Sequence, residues 1–132
     1  WGGNRYWQLG NGTTDNDSST PVKVKDINNA LSISSWFDHN CAVLKDGKVA
    51  CWGDNKSGQQ GNGTKTNSNI PVMVTGINNA MSVSVGRDHS CALLADSSVV
   101  CWGSNGSGQL GNGTRKHATT PIVSGFVISP LE

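Results

Sequence analysis

The chain has 132 residues, enough for one modest domain and too few for two of ordinary size. Its ten basic and nine acidic residues give a formal net charge of +1 and are spread along the chain, so a nucleic-acid partner is not expected. Charged residues make up only 14% of the chain, Gly, Asn, Ser and Thr are abundant, and no apolar run approaches the length of a membrane span. The composition therefore disfavours helices and a membrane partner, and it predicts a turn-rich chain.

One phrase occurs three times. The copies read "WGGNRYWQLGNGT" from Trp1, "WGDNKSGQQGNGT" from Trp52 and "WGSNGSGQLGNGT" from Trp102. Trp52 and Trp102 are 50 residues apart, as are Pro71 and Pro121. Self-similarity at this period is typical of propellers and other repeat architectures. Because the sequence opens inside a copy, we expect either a piece of a larger propeller or a short protein that closes by self-association.

The predicted elements are all strands. The first copy supplies a third strand at Trp1 and a fourth strand, "PVKV", from Pro21. The next unit begins with "LSISS", which alternates apolar and small polar residues, and continues with "CAVL", "KVACW" and "PVMV". The last unit repeats this order with "MSVSV", "CALL", "SVVCW" and "PIVS". A proline opens each fourth strand, where its missing N–H costs least. Four short antiparallel strands per unit describe one blade of a β-propeller.

These strands predict an all-β fold of about two and a half propeller blades. The predicted divisions are a half blade at 1–26, complete blades at 27–76 and 77–126, and a tail at 127–132. Each outermost blade would keep an apolar face without a covering neighbour, which is unfavourable for a monomer. We therefore expect a partial propeller, or one that is completed by a homo-oligomer.

The four cysteines fall on predicted hairpins. A three-residue loop at 45–47, with Gly47 left-handed, pairs Cys41 with Cys51, and the same register pairs Cys91 with Cys101. Ser97 replaces the glycine of the second loop and should strain it slightly. Facing cysteines can form disulfides, which indicates an oxidising compartment and a secreted, cell-surface or periplasmic protein. Reduced, buried cysteines are the alternative, and zinc is less favoured because the spacing does not match paired ligands.

The motifs "CWGDNKSGQQGNGT" and "CWGSNGSGQLGNGT", with "DHSCALLADSSVVCWG" before the second, resemble the regulator of chromosome condensation repeat. The resemblance covers nearly the whole chain and implies a β-propeller, usually of seven blades. Cysteine-bearing versions such as this one are most similar to bacterial exported members. Related folds serve as a guanine-nucleotide exchange factor, a β-lactamase inhibitor and a light-switched dimer, so the resemblance names no partner. Exchange activity is not expected, because this chain lacks the blades that would form the broad face of the exchange factor.

Several repeated residues suit structural roles. A residue that recurs once per blade indicates a scaffold hydrogen bond rather than a catalytic triad, and the repeated glycines suit turns rather than a phosphate loop. The indoles are expected to pack between blades, and the glutamines to tie their loops to backbone groups. The recurring residues with a scaffold hydrogen bond are the histidines His39 and His89. The indoles are those of Trp52 and Trp102, and the glutamines are Gln59 and Gln109.

One pair of residues departs from its own repeat. Trp36-Phe37 stands where the next unit has Gly86-Arg87, at a turn between two strands. An exposed aromatic pair suits an anchor for a protein partner, with local packing as the alternative. We expect Trp36, Phe37 and Arg87 to make contacts on one rim, while the variable loops at 13–20, 64–70 and 114–120 tune specificity.

The leading functional hypothesis is therefore non-enzymatic protein recognition, with no cofactor or metal. The alternative is carbohydrate binding or hydrolysis that uses the rim aromatics and the carboxylates Asp38 and Asp88. Hydrolysis would require two carboxyl groups within roughly 5–10 Å across a groove. A third possibility is a purely structural, self-assembling partial propeller. The acidic stretch "DNDSS" lacks a complete calcium ligand set.

Overall fold

The computed structural model describes residues 1–127, so nearly all of the predicted tail at 127–132 lies outside the described residues. The strands are β1 (Ala30–Trp36), β2 (His39–Leu44), β3 (Val49–Gly53), β4 (Ser68–Met73), β5 (Ala80–Val85), β6 (His89–Leu94), β7 (Ser98–Gly103) and β8 (Ala118–Val127). They form two four-stranded antiparallel sheets, ordered β1-β2-β3-β4 and β5-β6-β7-β8. We call these sheets blade 1 and blade 2. The all-β partial propeller is confirmed, and residues 1–127 include no helix that could cross a membrane.

The β2–β3 hairpin has the predicted register. Gly47 has a φ of 80°, and the amide of Leu44 donates to the carbonyl of Lys48 at 2.9 Å. Cys41 therefore lies opposite Cys51. Cys91 likewise lies opposite Cys101, and both pairs are disulfide-bonded. Ser97 takes the left-handed conformation, with a φ of 70°, where an L side chain is strained.

The strands predicted within residues 1–26 are wrong. Gly2 and Ser18 form an isolated bridge, and residues 21–24 are in no strand. A β-strand requires a hydrogen-bonded partner, and the described residues offer none to "PVKV". The predicted proline positions are also wrong, because Pro71 and Pro121 lie inside β4 and β8. Both are edge strands with irregular pairing, where a residue without an N–H is tolerated.

Each blade has two faces, because side chains alternate along a strand. The leading face of blade 1 carries Cys41, Val43, Val49 and Cys51, and it packs on the trailing face of blade 2. That trailing face carries Ala80, Ala92, Val100 and Trp102, extended by Val74 and Ile77. The trailing face of blade 1 carries Ala42, Leu44, Ala50 and Trp52, and it is covered in part by Val24 and Ile27. Residues 1–26 thus act as a partial cover for blade 1.

Candidate functional site

The candidate site lies along one end of the two sheets. Antiparallel order places the β1–β2 turn and the β3–β4 loop at the same end of blade 1, and blade 2 repeats the arrangement. We call this end the rim; it comprises the segments 3–17, 37–38, 54–67, 86–88 and 104–117. The opposite end carries the hairpin loops 45–48 and 95–97.

The aromatic pair protrudes from the rim. Trp36 ends β1 opposite His39, and Phe37 begins the turn with a φ of 52°. Trp36 is 60% exposed and Phe37 is 65% exposed. A left-handed φ is rare for a bulky side chain, and strained backbone clusters at functional sites. Two large apolar groups are therefore held in solvent by a turn that is unfavourable for one of them.

Arg87 links this turn to blade 2. Its guanidinium carbon lies 4.5 Å from the centre of the Phe37 ring, within the range of a cation–π contact. Arg87 also lies 3.9 Å from the carboxylate of Asp88, but both side chains are exposed, so this ion pair contributes little. The structure thus brings together, across the blade boundary, the turns that carry the predicted contacts.

Asp38 is the partly buried carboxylate of this group. Its Oδ1 accepts a hydrogen bond from Nε2 of Gln8 at 3.1 Å. Partial burial raises the pKa of Asp38, as does repulsion from Asp54 and Asp88, while Arg5 and Arg87 act in the opposite direction. The carboxylate is held by a structural amide, which suits a role in shaping the turn.

A second aromatic cluster on the rim was missed in the sequence. The Tyr6 ring has the ammonium of Lys56 at 4.6 Å and the guanidinium of Arg5 at 5.5 Å from its centre. The three residues come from the "NRYW" and "DNKSG" segments of two different copies. Only the fold brings them together, so no local sequence signal identifies this cluster.

His39 joins the two blades. Its Nε2 lies 2.9 Å from Oγ of Ser90, and the Ser90 hydroxyl donates its single proton to the carbonyl of Gln59 at 2.8 Å. His39 must therefore donate from Nε2, which leaves Nδ1 as an acceptor without a hydrogen-bond partner. Burial lowers the pKa of His39 to about 4, and repulsion from His89 adds to this. His89 occupies the same repeat position but is only half-buried, and this burial lowers its pKa as well.

The repeated tryptophans and glutamines hold the blades to the rim. Nε1 of Trp52 donates to the carbonyl of Gln8 at 3.0 Å, and Nε1 of Trp102 donates to that of Gln59 at 2.8 Å. The Gln59 side chain accepts from the amide of Ser57 at 2.9 Å and donates to Asp54. Gln109 accepts from the amide of Ser107 at 2.9 Å in the same way, but it is exposed.

Asparagines at a third repeat position were not singled out in the sequence. Asn4, Asn55 and Asn105 are fully buried. Nδ2 of Asn55 donates to the carbonyls of Thr64 and Thr66 at 2.9 and 3.1 Å, and Asn105 contacts the corresponding carbonyls of Thr114 and Lys116. The sequence signal that could have identified these asparagines is their place in the repeated Trp-Gly-x-Asn motif. These asparagines fix the path of the rim loops through backbone atoms.

A groove of about 560 Å³ runs from the rim onto the trailing face of blade 1. Its lining includes Trp36, Phe37, Trp52, Gln8 and Asn40. Neither of the two predicted carboxylates, Asp38 and Asp88, lines this groove. Within residues 1–127, no group of three His, Cys, Asp or Glu side chains is placed to hold a metal ion.

Sequence comparison identifies the repeat. The regulator of chromosome condensation (RCC1) repeat matches residues 1–43 and 46–93, and a second family of the same description matches residues 32–59 and 82–109. Human E3 ubiquitin-protein ligase HERC2 is 38% identical over 68 residues. These residues are 50% of this chain but 1% of HERC2, so the chain spans a very small part of that relative.

Two solved structures resemble the fold. Human WBSCR16 superposes with a TM-score of 0.79 at 22% identity, over 94% of this chain and 33% of that one. Yeast RCC1 (Prp20), solved with Kap60 bound to it, superposes with a TM-score of 0.68 at 26% identity, over 81% of this chain and 26% of that one. The chain thus spans about a third or less of either solved chain.

Proposed function

The chain belongs to the regulator of chromosome condensation (RCC1) repeat family, and from that premise we propose that it is a non-enzymatic scaffold that presents its rim to a protein partner and self-associates. In this proposal the complete repeats are residues 27–76 and 77–126. Trp36, Phe37 and Arg87 are the main contacts, and Asp38 and Asp88 flank them. The loops 13–20, 64–70 and 114–120 tune specificity.

The observation that carries this proposal is the Trp36–Phe37 turn. Aromatic residues and arginine are enriched among the residues that dominate protein–protein binding energies. Here two exposed aromatics and a stacked arginine come from adjacent blades, and one aromatic is on a strained backbone. Yeast RCC1 in complex with Kap60 is an instance of a related propeller that binds a protein.

Panning a peptide display library against the folded chain tests the rim. Peptides selected on the wild type should bind Phe37→Ala and Arg87→Ala at least tenfold more weakly, because each removes a central contact. Asn16→Ala, an exposed change in the loop 13–20, is the control for which a smaller loss is expected. Equal affinity for wild type and Phe37→Ala would contradict the proposal.

We also propose an exported location, similar to that of bacterial cysteine-bearing members. Its support is that all four cysteines are paired. Alkylation of the protein in intact cells that produce it naturally should find no free thiols. Four reactive thiols after denaturation would contradict an oxidising location.

Sugar binding is the second candidate, because the groove combines aromatic rings with the amides of Gln8 and Asn40. Since neither predicted carboxylate lines the groove, hydrolysis has no such support. Titration with a panel of oligosaccharides should quench tryptophan fluorescence in the wild type and less in Trp36→Phe if this candidate is correct. No quenching in either protein leaves protein recognition as the function.

A further inference from the structure

Within residues 1–127, the rim holds cations against aromatic rings at two places. The ammonium of Lys56 lies 4.6 Å and the guanidinium of Arg5 lies 5.5 Å from the centre of the Tyr6 ring. The guanidinium of Arg87 lies 4.5 Å from the centre of the Phe37 ring. At both places the ring comes from one repeat unit and a cation comes from the next. The rim therefore carries two cation–ring pairs, each built across a boundary between units.

The Tyr6 cluster departs from the repeat, whereas the residues that hold the fold together recur in it. Ser57 and Ser107 stand at the position of Tyr6, and Gly106 stands at the position of Lys56. The boundary between blade 1 and blade 2 is therefore closed with a serine and a glycine, where the earlier boundary has a ring and a cation. Ordering two long cationic side chains beside one ring opposes folding through lost entropy and like-charge repulsion. The cluster is thus dispensable for the fold and suits a role in binding.

The charges around Tyr6 lie at different depths. Arg5 and Lys56 are exposed. Asp54 is only 8% exposed, and Asp38 is partly buried. Burial raises the pKa of Asp38, repulsion from Asp54 adds to this, and attraction to Arg5 opposes it, so these groups are neighbours. A partner that approaches the rim here therefore meets the cations first.

The carboxylates near this cluster already accept hydrogen bonds from the scaffold. The acceptors are Asp17, Asp38 and Asp54, and their donors are the backbone of Asn4 and the side chains of Gln8 and Gln59. In the part of the chain that the structure describes, the one ion pair joins Arg87 to Asp88. Arg5 and Lys56 thus keep positive charges that no carboxylate pairs directly, while the ring holds them in place. A cation that is already ordered loses less entropy when it binds an anion.

A single side-chain amide connects the two cation–ring pairs. Oε1 of Gln8 accepts from the backbone N–H of Tyr6 at 2.8 Å. Nε2 of Gln8 donates to Asp38, which follows Phe37 in the turn. The Tyr6 backbone and the Asp38 carboxylate are therefore roughly 8 Å apart or less, the length of two to three residues of an extended peptide. One short segment of a partner can contact both pairs.

We propose that the rim binds an acidic segment of its protein partner. Carboxylates of this segment contact Arg5, Lys56 and Arg87. An apolar side chain of the same segment packs against the exposed rings of Trp36 and Phe37. The exposed cations carry this choice, since charges of opposite sign steer and orient a partner. The inference rests on the proposed function and adds the chemistry of the partner to it.

The composition of selected peptides is the first test. Peptides that are selected on the folded chain and lose binding in Phe37→Ala should be enriched in aspartate and glutamate relative to the starting library. Phe37-dependent peptides without this enrichment, or with an enrichment of lysine and arginine, overturn this inference and leave the rim proposal standing. A selection without Phe37-dependent peptides contradicts the rim proposal, and this inference with it.

Removing one charge measures the contribution of the cluster. Lys56→Gln and Arg5→Gln should each weaken the binding of a selected acidic peptide by about threefold to fivefold at low salt, because an exposed charge pair is lost. Lys48→Gln is the matched control, since it removes the same charge from an exposed position at the opposite end. The losses should shrink at high salt, which screens exposed charges. Fluorescence polarisation measures the affinities, and equal affinities of Lys56→Gln and Lys48→Gln overturn the inference.

Charge exchange separates a direct contact from a general effect of net charge. Lys56→Glu should bind the selected peptide more weakly than Lys56→Gln does, because repulsion replaces attraction. A peptide in which one glutamate is replaced by lysine should recover much of this loss with Lys56→Glu and should bind the wild type less well. If no such replacement at any single position restores binding, Lys56 makes no direct contact and the inference is overturned.

Tyr6 has its own test. Tyr6→Phe keeps a ring for the cations and should retain the affinity for the acidic peptide, whereas Tyr6→Leu should lose about as much as Lys56→Gln does. A peptide with glutamines in place of the glutamates should bind the wild type and both variants alike. Equal losses in Tyr6→Phe and Tyr6→Leu contradict the role of the ring. Single-stranded DNA that binds more tightly than the peptide through Tyr6 and Lys56 would assign the cluster to a nucleic acid and overturn the inference.

Discussion

Blade 1 and blade 2 have the same strand order, a disulfide at the same position and a histidine at the same position. The leading face that carries these groups is buried in blade 1 and partly exposed in blade 2. On the leading face, Val43 and His39 are buried in blade 1, while Leu93 and His89 are partly exposed in blade 2. The difference lies in the neighbour and not in the repeat itself. The contribution of a repeated residue to the free energy of unfolding therefore depends on whether a neighbouring blade covers it.

The largest difference is expected for a charge placed on the leading face. Val43→Asp buries an uncompensated carboxylate between the blades and should cost about 4 kcal/mol of the free energy of unfolding. Leu93→Asp at the counterpart position should cost about 1 kcal/mol or less in the monomer, because solvent reaches the site. Urea denaturation of both variants measures the difference. Equal losses would mean that the two faces are equally covered.

The two histidines should differ in their effect on acid stability. The pKa of His39 is lowered to about 4 in the folded chain, so the unfolded chain, with a pKa near 6.5, binds the proton more tightly. The free energy of unfolding should therefore fall by about 3 kcal/mol as the pH is lowered from about 6.5 to about 4. His39→Gln should remove this fall, and His89→Gln should remove a smaller part. A pH dependence unchanged in His39→Gln would contradict the assignment.

A smaller effect on stability is expected at one position of the rim loops, where one copy of the repeat has a glutamine and the other two have a leucine. Gln60 is fully buried where the other copies have Leu9 and Leu110, and its Oε1 has no hydrogen-bond partner. Gln60→Leu should stabilise the chain by about 1 kcal/mol or less, because the gain from removing an unsatisfied buried oxygen is partly offset by the loss of the hydrogen bond that Nε2 donates to the carbonyl of Gly53 at 2.6 Å. Thermal unfolding measures the gain. Gln109→Leu, at an exposed glutamine one position earlier in the repeat, should give none.

The smallest effect concerns the hairpin loops. Ser97→Gly should stabilise blade 2 by about 1 kcal/mol or less, since glycine takes the φ of 70° without strain. The reverse change in blade 1, Gly47→Ser, should lower stability, because an added Cβ would clash with the backbone oxygen of Asn78. Chemical denaturation of both variants is the measurement, and a gain for Gly47→Ser would contradict this account.

Local patterns were sufficient to predict the hairpins. The loop 45–47 and its glycine determine the register that pairs Cys41 with Cys51, and short-range geometry carries that information. The strand predicted at Pro21 failed because pairing depends on a distant partner that the pattern does not contain. The Tyr6 cluster and the His39–Ser90 contact were invisible for the same reason, since each joins different copies of the repeat.

The candidate site was predictable only as a departure from the repeat. Trp36-Phe37 differs from Gly86-Arg87, and that difference drew attention to the turn. The stacking of Arg87 on Phe37 depends on the packing of blade 1 against blade 2, which no single motif encodes. The groove beside Trp52 likewise arises from the partial cover that residues 1–26 provide.

The buried asparagines have a consequence for protein engineering. The side chains of Asn55 and Asn105 donate to main-chain oxygens of the rim loops. The backbone N–H of Asn55 donates to Asn67, and the backbone N–H of Asn105 donates to His117. Asp17 accepts from the backbone N–H of Asn4 in the same way. Three different side chains thus serve one function, and the positions between the fixed contacts are free to change. Randomising Lys65 and Arg115 should yield a library of loop surfaces on an unchanged backbone. The repeat would then serve as a cassette, exchangeable between blades, for building new binding proteins.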